Sequence, residues 1–138
     1  MTTTQTDTPT ARRPRGLVHP LAGSFLLLDA VATSVNGVAY VVAGGWLADW
    51  FGAPEPLVRG AGVFLLAVGG SVAWLATRRP IPRSWVLALG ILNFGWVLAS
   101  LDYALLGELA TPGRAWLVLQ AALVAAFAAC QVWLARRG

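Results

Sequence analysis

The sequence predicts an all-α protein, a four-helix transmembrane bundle with up-down-up-down topology. Of the 138 residues, 57% are hydrophobic and only 12% are charged, whereas a soluble domain carries about 25% charged residues. The hydrophobic residues form four runs, each long enough to cross ~30 Å of hydrocarbon as a helix. The runs lack the alternation of polar and apolar residues that a membrane β-barrel wall requires, so strands are excluded.

Polar and turn-forming residues separate the four runs. Residues 1–20 are polar and rich in Thr, and this composition predicts a disordered cytoplasmic tail. Residues 21–138 are predicted to form the transmembrane domain. Its connections are short and contain Pro or Gly, so neighbouring helices are expected to run antiparallel. The predicted spans are about 22–47, 56–77, 84–106 and 115–135.

The distribution of arginine predicts the orientation. All ten basic residues are Arg, a bias that indicates genomic base composition and a bacterial source. Because positively charged loops stay in the cytoplasm, we expect a multi-pass protein of the bacterial cytoplasmic (inner) membrane, surrounded by lipid, with both termini inside. The eight arginines on the predicted inner side are Arg12, Arg13, Arg15, Arg78, Arg79, Arg83, Arg136 and Arg137, and the two on the outer side are Arg59 and Arg114.

Composition also argues against several functions. The basic residues lie in short clusters between spans, without the continuous stripe of a nucleic-acid binder, so no nucleic-acid partner is predicted. A single cysteine, Cys130, cannot form an intramolecular disulfide. A single histidine, His19, cannot supply both axial ligands of a buried haem. We identify no catalytic motif, no metal-ligand set and no cofactor site, and predict that the protein is not an enzyme.

Polar side chains within the spans form two helical stripes. The first follows spacings of four, three and four residues from Asp29, and the second follows three, four and three from Asn93. Such spacings place side chains on one helix face, and lipid cannot satisfy them, so both stripes should face the bundle interior. The candidate intramembrane polar site comprises Asp29, Thr33, Asn36, Tyr40, Asn93, Trp96, Ser100 and Gln120.

Two interpretations of these stripes remain open. They would form a small polar pocket or proton path, or they would make interhelical hydrogen bonds that fix the helix register; we favour the second. Asp29 lies roughly 8 Å into the membrane at 1.5 Å per residue, where a carboxylate needs a partner. We expect Gln131, Ser71 or an inner arginine to hold it. We also expect Asn36 and Asn93 to come within side-chain reach, directly or through a water.

The two halves of the sequence resemble each other. Each begins after an Arg-rich segment, carries a mid-span Asn, and ends in a Trp-Leu-Ala sequence that precedes arginines. A tandem repeat of two helical hairpins, related by an axis along the membrane normal, would explain this likeness. Convergence would explain it equally, because any hairpin with inner Trp and Arg anchors shares these features.

Residues 20–137 combine three features: Asp29 with a downstream Asn36-Gly37, a Leu-Val-Arg-Gly segment at 57–60, and Asn93 with Trp96. In these features the chain resembles a family of small, uncharacterised four-helix bacterial integral membrane proteins. The resemblance implies the four-helix membrane fold and no particular activity. The DoxX-like proteins have similar size, but the end of the first span, at Asp49, lacks their basic residue.

These features predict a small integral membrane protein that acts through self-association or a larger membrane partner. The alternative is a small proton-coupled exporter of hydrophobic or cationic compounds that uses Asp29, as the resemblance in length and helix count to small multidrug-resistance transporters suggests. The strong Arg bias and the position of Asp29 near one interface argue against the exporter. An enzyme acting on lipid or quinone lacks a recognisable set of catalytic residues.

Overall fold

The computed structural model describes residues 18–137, and these residues form five α-helices. Four of the helices are long and apolar enough to cross a membrane. The predicted all-α, four-span architecture is therefore confirmed, and it is that of a multi-pass membrane protein. Residues 1–17, which make up most of the predicted tail, lie outside the described residues. The helices are α1 (Ala22–Val42), α2 (Gly44–Phe51), α3 (Glu55–Thr77), α4 (Arg83–Leu106) and α5 (Thr111–Arg136).

Contacts between connections establish the up-down-up-down topology. At one end of the bundle, which we call the α2 end, the Ala110 amide donates to the Phe51 carbonyl at 2.9 Å. At the other end, the terminal end, the His19 amide donates to the Leu134 carbonyl at 3.2 Å. Residues 18–20, which the sequence assigned to the tail, therefore lie against the bundle. The α3–α4 connection also lies at the terminal end, since Arg79 approaches Gly23 of α1.

The first predicted span is interrupted near its α2 end. The prediction continued the helix to residue 47, but Ala43 (φ −98°, ψ 19°) leaves helical geometry and α2 begins at Gly44. Arg59 Nη1 donates to the Val41 carbonyl, a group near the helix end that would otherwise lack a donor. A Cβ on Gly44 would lie 2.6 Å from Arg59 Cγ, so the glycine makes room for this cap. From the sequence, Arg59 was considered only as one of the two arginines on the predicted outer side of the membrane.

Glycines allow the helices to pack closely in pairs. α1 packs mainly against α3, and α4 packs mainly against α5. A Cβ on Gly62 of α3 would lie 2.7 Å from Tyr40 Cβ and 2.9 Å from the Gly37 carbonyl oxygen on α1. A Cβ on Gly90 of α4 would lie 3.2 Å from Val132 Cγ2 on α5. Since lipid removes the hydrophobic drive between helices, such close packing is a main source of their association.

Two apolar clusters join the helix pairs. The cluster at the terminal end draws side chains from all four long helices, including Leu26, Val72, Val86 and Ala135. The cluster at the α2 end centres on Tyr40, Ala48, Phe51, Val58 and Leu65. Large exposed apolar side chains, among them Ile91 and Leu98, cover the outside of the bundle. This inside-out pattern is expected of a protein whose solvent is hydrocarbon.

Gly62→Ala should destabilise the fold by about 1–3 kcal/mol, because the new methyl group meets backbone of α1 and overpacks the contact. The matched control is Gly60→Ala on the same helix, where a Cβ meets nothing within 4 Å. That change should leave stability unchanged or raise it by up to about 1 kcal/mol through helix propensity. Denaturant unfolding in detergent measures both. Equal stabilities for the two variants would contradict the close contact between α1 and α3.

Candidate intramembrane polar site

Asp29 lies buried in the first half of α1, and both of its carboxylate oxygens have donors. Only 5% of the residue is exposed. Thr33 Oγ1, one helical turn further along, donates to Oδ1 at 3.2 Å. Gln131 Nε2 on α5 donates to Oδ2 at 2.6 Å. The structure thus gives Asp29 one of the partners expected from the sequence, and the bond joins the two helix pairs.

Gln131 carries the hydrogen bonds onward to α4. This side chain is 0% exposed, and its Oε1 accepts from Asn93 Nδ2 at 2.9 Å. Asp29, Gln131 and Asn93 therefore form one chain across three helices, which we call the Asp29 cluster. The other partners considered for Asp29 make different contacts: Ser71 Oγ donates to the Ala67 carbonyl, and the Arg78 guanidinium lies 4.0 Å from the centroid of the Trp74 ring.

A second cluster lies nearer the α2 end and is centred on Gln120 of α5. Gln120 Oε1 accepts from Tyr40 Oη at 2.9 Å and from Asn36 Nδ2 at 3.2 Å. Trp116 Nε1 donates to Tyr40 Oη at 2.6 Å. The cluster again joins α1 to α5. The Trp116 indole nitrogen is therefore bonded within the bundle.

Helix α5 supplies the central residue of both clusters. Gln120 and Gln131 are eleven residues apart, which is close to three helical turns at 3.6 residues per turn, so they share one face. Gln131 was named only as a partner of Asp29 and not as a member of the site. The signal that identifies it is this spacing, because a second Gln in phase with Gln120 within an uncharged span is expected to face inward.

The remaining predicted residues lie outside the two clusters. Ser100 is buried on α4. The Trp96 ring stacks on Phe64 with centroids 5.4 Å apart, and its Nε1 is buried without a hydrogen-bond partner in residues 18–137. Asn36 and Asn93 both face inward, but each bonds to a different glutamine. No direct hydrogen bond joins these two amides among the described residues.

The geometry defines a multi-pass membrane protein with an internal polar network and a carboxylate held by neutral donors. Residues 18–137 contain no group of three or more His, Cys, Asp or Glu side chains placed to hold a metal ion. The chain matches no protein-family model, no curated protein and no solved structure.

Gln131→Leu should destabilise the protein by about 1–3 kcal/mol, because it leaves a buried carboxylate oxygen and a buried amide without partners. Combined with Asp29→Ala, the effect should be less than additive by about 1 kcal/mol, since both changes remove the same bond. Gln120→Leu is the matched control on the same helix. It touches no atom of the Asp29 cluster, so its effect should add to that of Asp29→Ala within about 0.5 kcal/mol.

These free energies come from unfolding of the single and double variants in one detergent. Additivity in the Gln131 cycle would show that the bond between Asp29 and Gln131 contributes nothing to stability.

Proposed function

We propose that this chain is a non-enzymatic protein of the bacterial cytoplasmic membrane that acts by associating with a second copy of itself through α3 and α4. The observation that carries the proposal is the set of helix glycines that contact nothing within the chain. A Cβ on Gly60, Gly70 or Gly95 would meet no atom within 4 Å. By contrast, Gly37 and Gly62 are explained by the close approach of α1 and α3.

Open glycines in the middle of a helix need a reason. Each costs about 0.5–1 kcal/mol relative to Ala, and no contact inside the chain offsets this for Gly60, Gly70 or Gly95. Small residues are enriched where membrane helices approach each other closely. A contact with another helix would therefore account for all three glycines.

The shape of this face supports a second copy as the partner. Between α3 and α4 lies an apolar groove of about 730 Å³ that includes Gly70 and Ala88. On the outer side of α4, Ile91 and Leu98 project on either side of Gly95 and are 71% and 69% exposed. The side of the bundle formed by α3 and α4 therefore carries both protruding side chains and recesses, as a self-complementary interface about a twofold axis requires.

Gly95→Leu should lower the association constant at least about tenfold, because a bulky side chain holds the helices apart. Gly70→Leu should act similarly. The matched control is Ala122→Leu, an exposed position on α5 away from this face, which should leave association unchanged. The dimer fraction is measured by single-molecule photobleaching in phospholipid vesicles over a range of protein-to-lipid ratios.

A wild-type chain that stays monomeric at all ratios would refute self-association. A dimer that is equally sensitive to Ala122→Leu and Gly95→Leu would refute the α3–α4 face. If the wild type is monomeric alone but the Gly95→Leu variant loses a co-purifying membrane protein, the face serves a different partner.

The orientation belongs to the same proposal. Arg78, Arg83 and Arg136 lie at the ends of helices that meet at the terminal end, and positively charged segments favour the cytoplasmic side. A green fluorescent protein fused at the C-terminus should therefore fluoresce, and alkaline phosphatase inserted after Gly52 should be active. A dark C-terminal fusion together with an inactive insertion at Gly52 would reverse the orientation.

The exporter alternative depends on Asp29, and the surroundings of Asp29 favour a structural role instead. Both carboxylate oxygens are occupied by donors on fixed helices, and the α3–α4 groove does not include this residue. A carboxylate that exchanges protons for substrate needs an open path to water, whereas a buried carboxylate with satisfied oxygens fixes helix register.

Asp29→Asn should change stability without changing cellular resistance to cationic toxic compounds. The assay compares cells that express wild-type and variant protein at matched levels, with an empty-vector strain as the baseline. Resistance conferred by the wild type and lost in Asp29→Asn would establish the exporter in place of the structural role.

A further inference from the structure

A cavity of about 330 Å³ lies at the α2 end of the bundle. All five helices contribute to its wall, and the side chains that matter below are Gln120, Ser100, Trp96 and Ala61. Its rim includes the exposed Leu57, so the cavity opens to the surroundings. Its volume falls at the lower end of the range for small-molecule sites.

Gln120 presents unused hydrogen-bond donors beside this cavity. Its Oε1 is occupied by Asn36 and Tyr40. The amide nitrogen lies on the other side of the same planar group, and within residues 18–137 it makes no hydrogen bond. Gln120 is 6% exposed and lines the cavity, and its two N–H groups have no protein partner within the described residues. A buried amide in this state favours any acceptor that enters.

Two further donors surround the same space. Ser100 is 5% exposed and lines the cavity, and its hydroxyl makes no hydrogen bond within the described part of the chain. The Trp96 ring forms part of the wall, and its indole nitrogen is buried without an acceptor in that same part. Indole N–H groups usually find a partner when they are buried. The cavity wall therefore contains donors that have no acceptor within residues 18–137.

The composition of the wall defines the ligand that would fit. None of the cavity-lining residues within 18–137 is charged, and most are aliphatic or aromatic. A charged ligand would lose its hydration without an ionic partner. An apolar, uncharged molecule that carries a carbonyl oxygen would fill the space and accept from the unused donors.

We propose that the α2-end cavity is a binding site for an apolar, uncharged carbonyl compound, with Gln120 and Ser100 as its hydrogen-bond donors. Two sources share this chemistry: the ester group of a bilayer lipid and a free compound such as a quinone. The site lies within one copy of the chain, so it does not require self-association.

The test uses the full chain in vesicles of ether-linked phospholipid, which has no ester carbonyl, and menadione as the probe. Saturable quenching of tryptophan fluorescence by menadione is expected. Ala61→Leu fills the cavity and should abolish the saturable phase. Ala122→Leu makes the same change at an exposed position on α5, outside both the cavity and the α3–α4 groove, and should retain it. Ser100→Ala removes one donor and should weaken binding several-fold without unfolding the bundle.

A second arm separates the two sources. The wild-type chain is transferred to ester-linked phospholipid, and the indole N–H resonance of Trp96, assigned with Trp96→Phe, is compared between the two lipids. A shift that occurs in the wild type and not in Ala61→Leu, together with weaker menadione binding in ester lipid, supports a lipid ester as the occupant. Menadione binding of equal strength in both lipids supports a free compound.

The proposal fails if menadione quenching is not saturable, or if it is the same in Ala61→Leu and Ala122→Leu, while the Trp96 resonance is also unchanged between lipids. Either result would mean that the probe does not bind in this cavity. The thermal stability of each variant in detergent verifies that loss of binding is not loss of fold.

Discussion

The structure depends on one constraint: a polar side chain in hydrocarbon must find its partner inside the protein. The bond between Gln131 and Asp29 is the clearest response to it, since it satisfies a carboxylate and joins the two helix pairs. Gln131 also accepts from Asn93, so α1, α4 and α5 are held in one register. Gln120 repeats the arrangement three turns away with Asn36 and Tyr40. Helix α5 therefore carries the two glutamines to which polar side chains of α1 and α4 bond.

Close packing holds the helices of each pair together, and side-chain hydrogen bonds join the two pairs. Within the first pair, glycines such as Gly62 bring α3 so close to α1 that long side chains have no room. Polar bonds instead run from α1 to the glutamines of α5, across the boundary between the pairs. The two halves of the sequence resemble each other, yet their asparagines behave differently: Asn36 reaches the other pair, and Asn93 stays within its own. The polar network thus does not share the symmetry that a hairpin repeat suggests.

The contacts that the chain leaves unmade support its proposed interactions. Gly60, Gly70 and Gly95 face open space on α3 and α4. Contact with the helices of a second copy would account for them. The α2-end cavity holds donors without acceptors at Gln120 and Ser100, where a carbonyl ligand would complete them. Asp29, by contrast, is already satisfied. A polar group or open glycine that has no partner among the described residues favours contact with another molecule. A polar group whose partners all lie within the chain favours a role in stability.

The sequence by itself determined the fold class, the four spans and the inward direction of the Asp29 stripe, because run length and helical periodicity are local properties of the chain. From depth, it also placed Gln131 among the possible partners of Asp29, and the structure selects Gln131 from among them. Only the tertiary structure decided that Asn36 and Asn93 bond to separate glutamines, that α1 breaks at Ala43 beneath the Arg59 cap, and which glycines are open. These outcomes depend on the rotation and separation of helices distant in sequence, and side-chain packing sets both only when the bundle assembles.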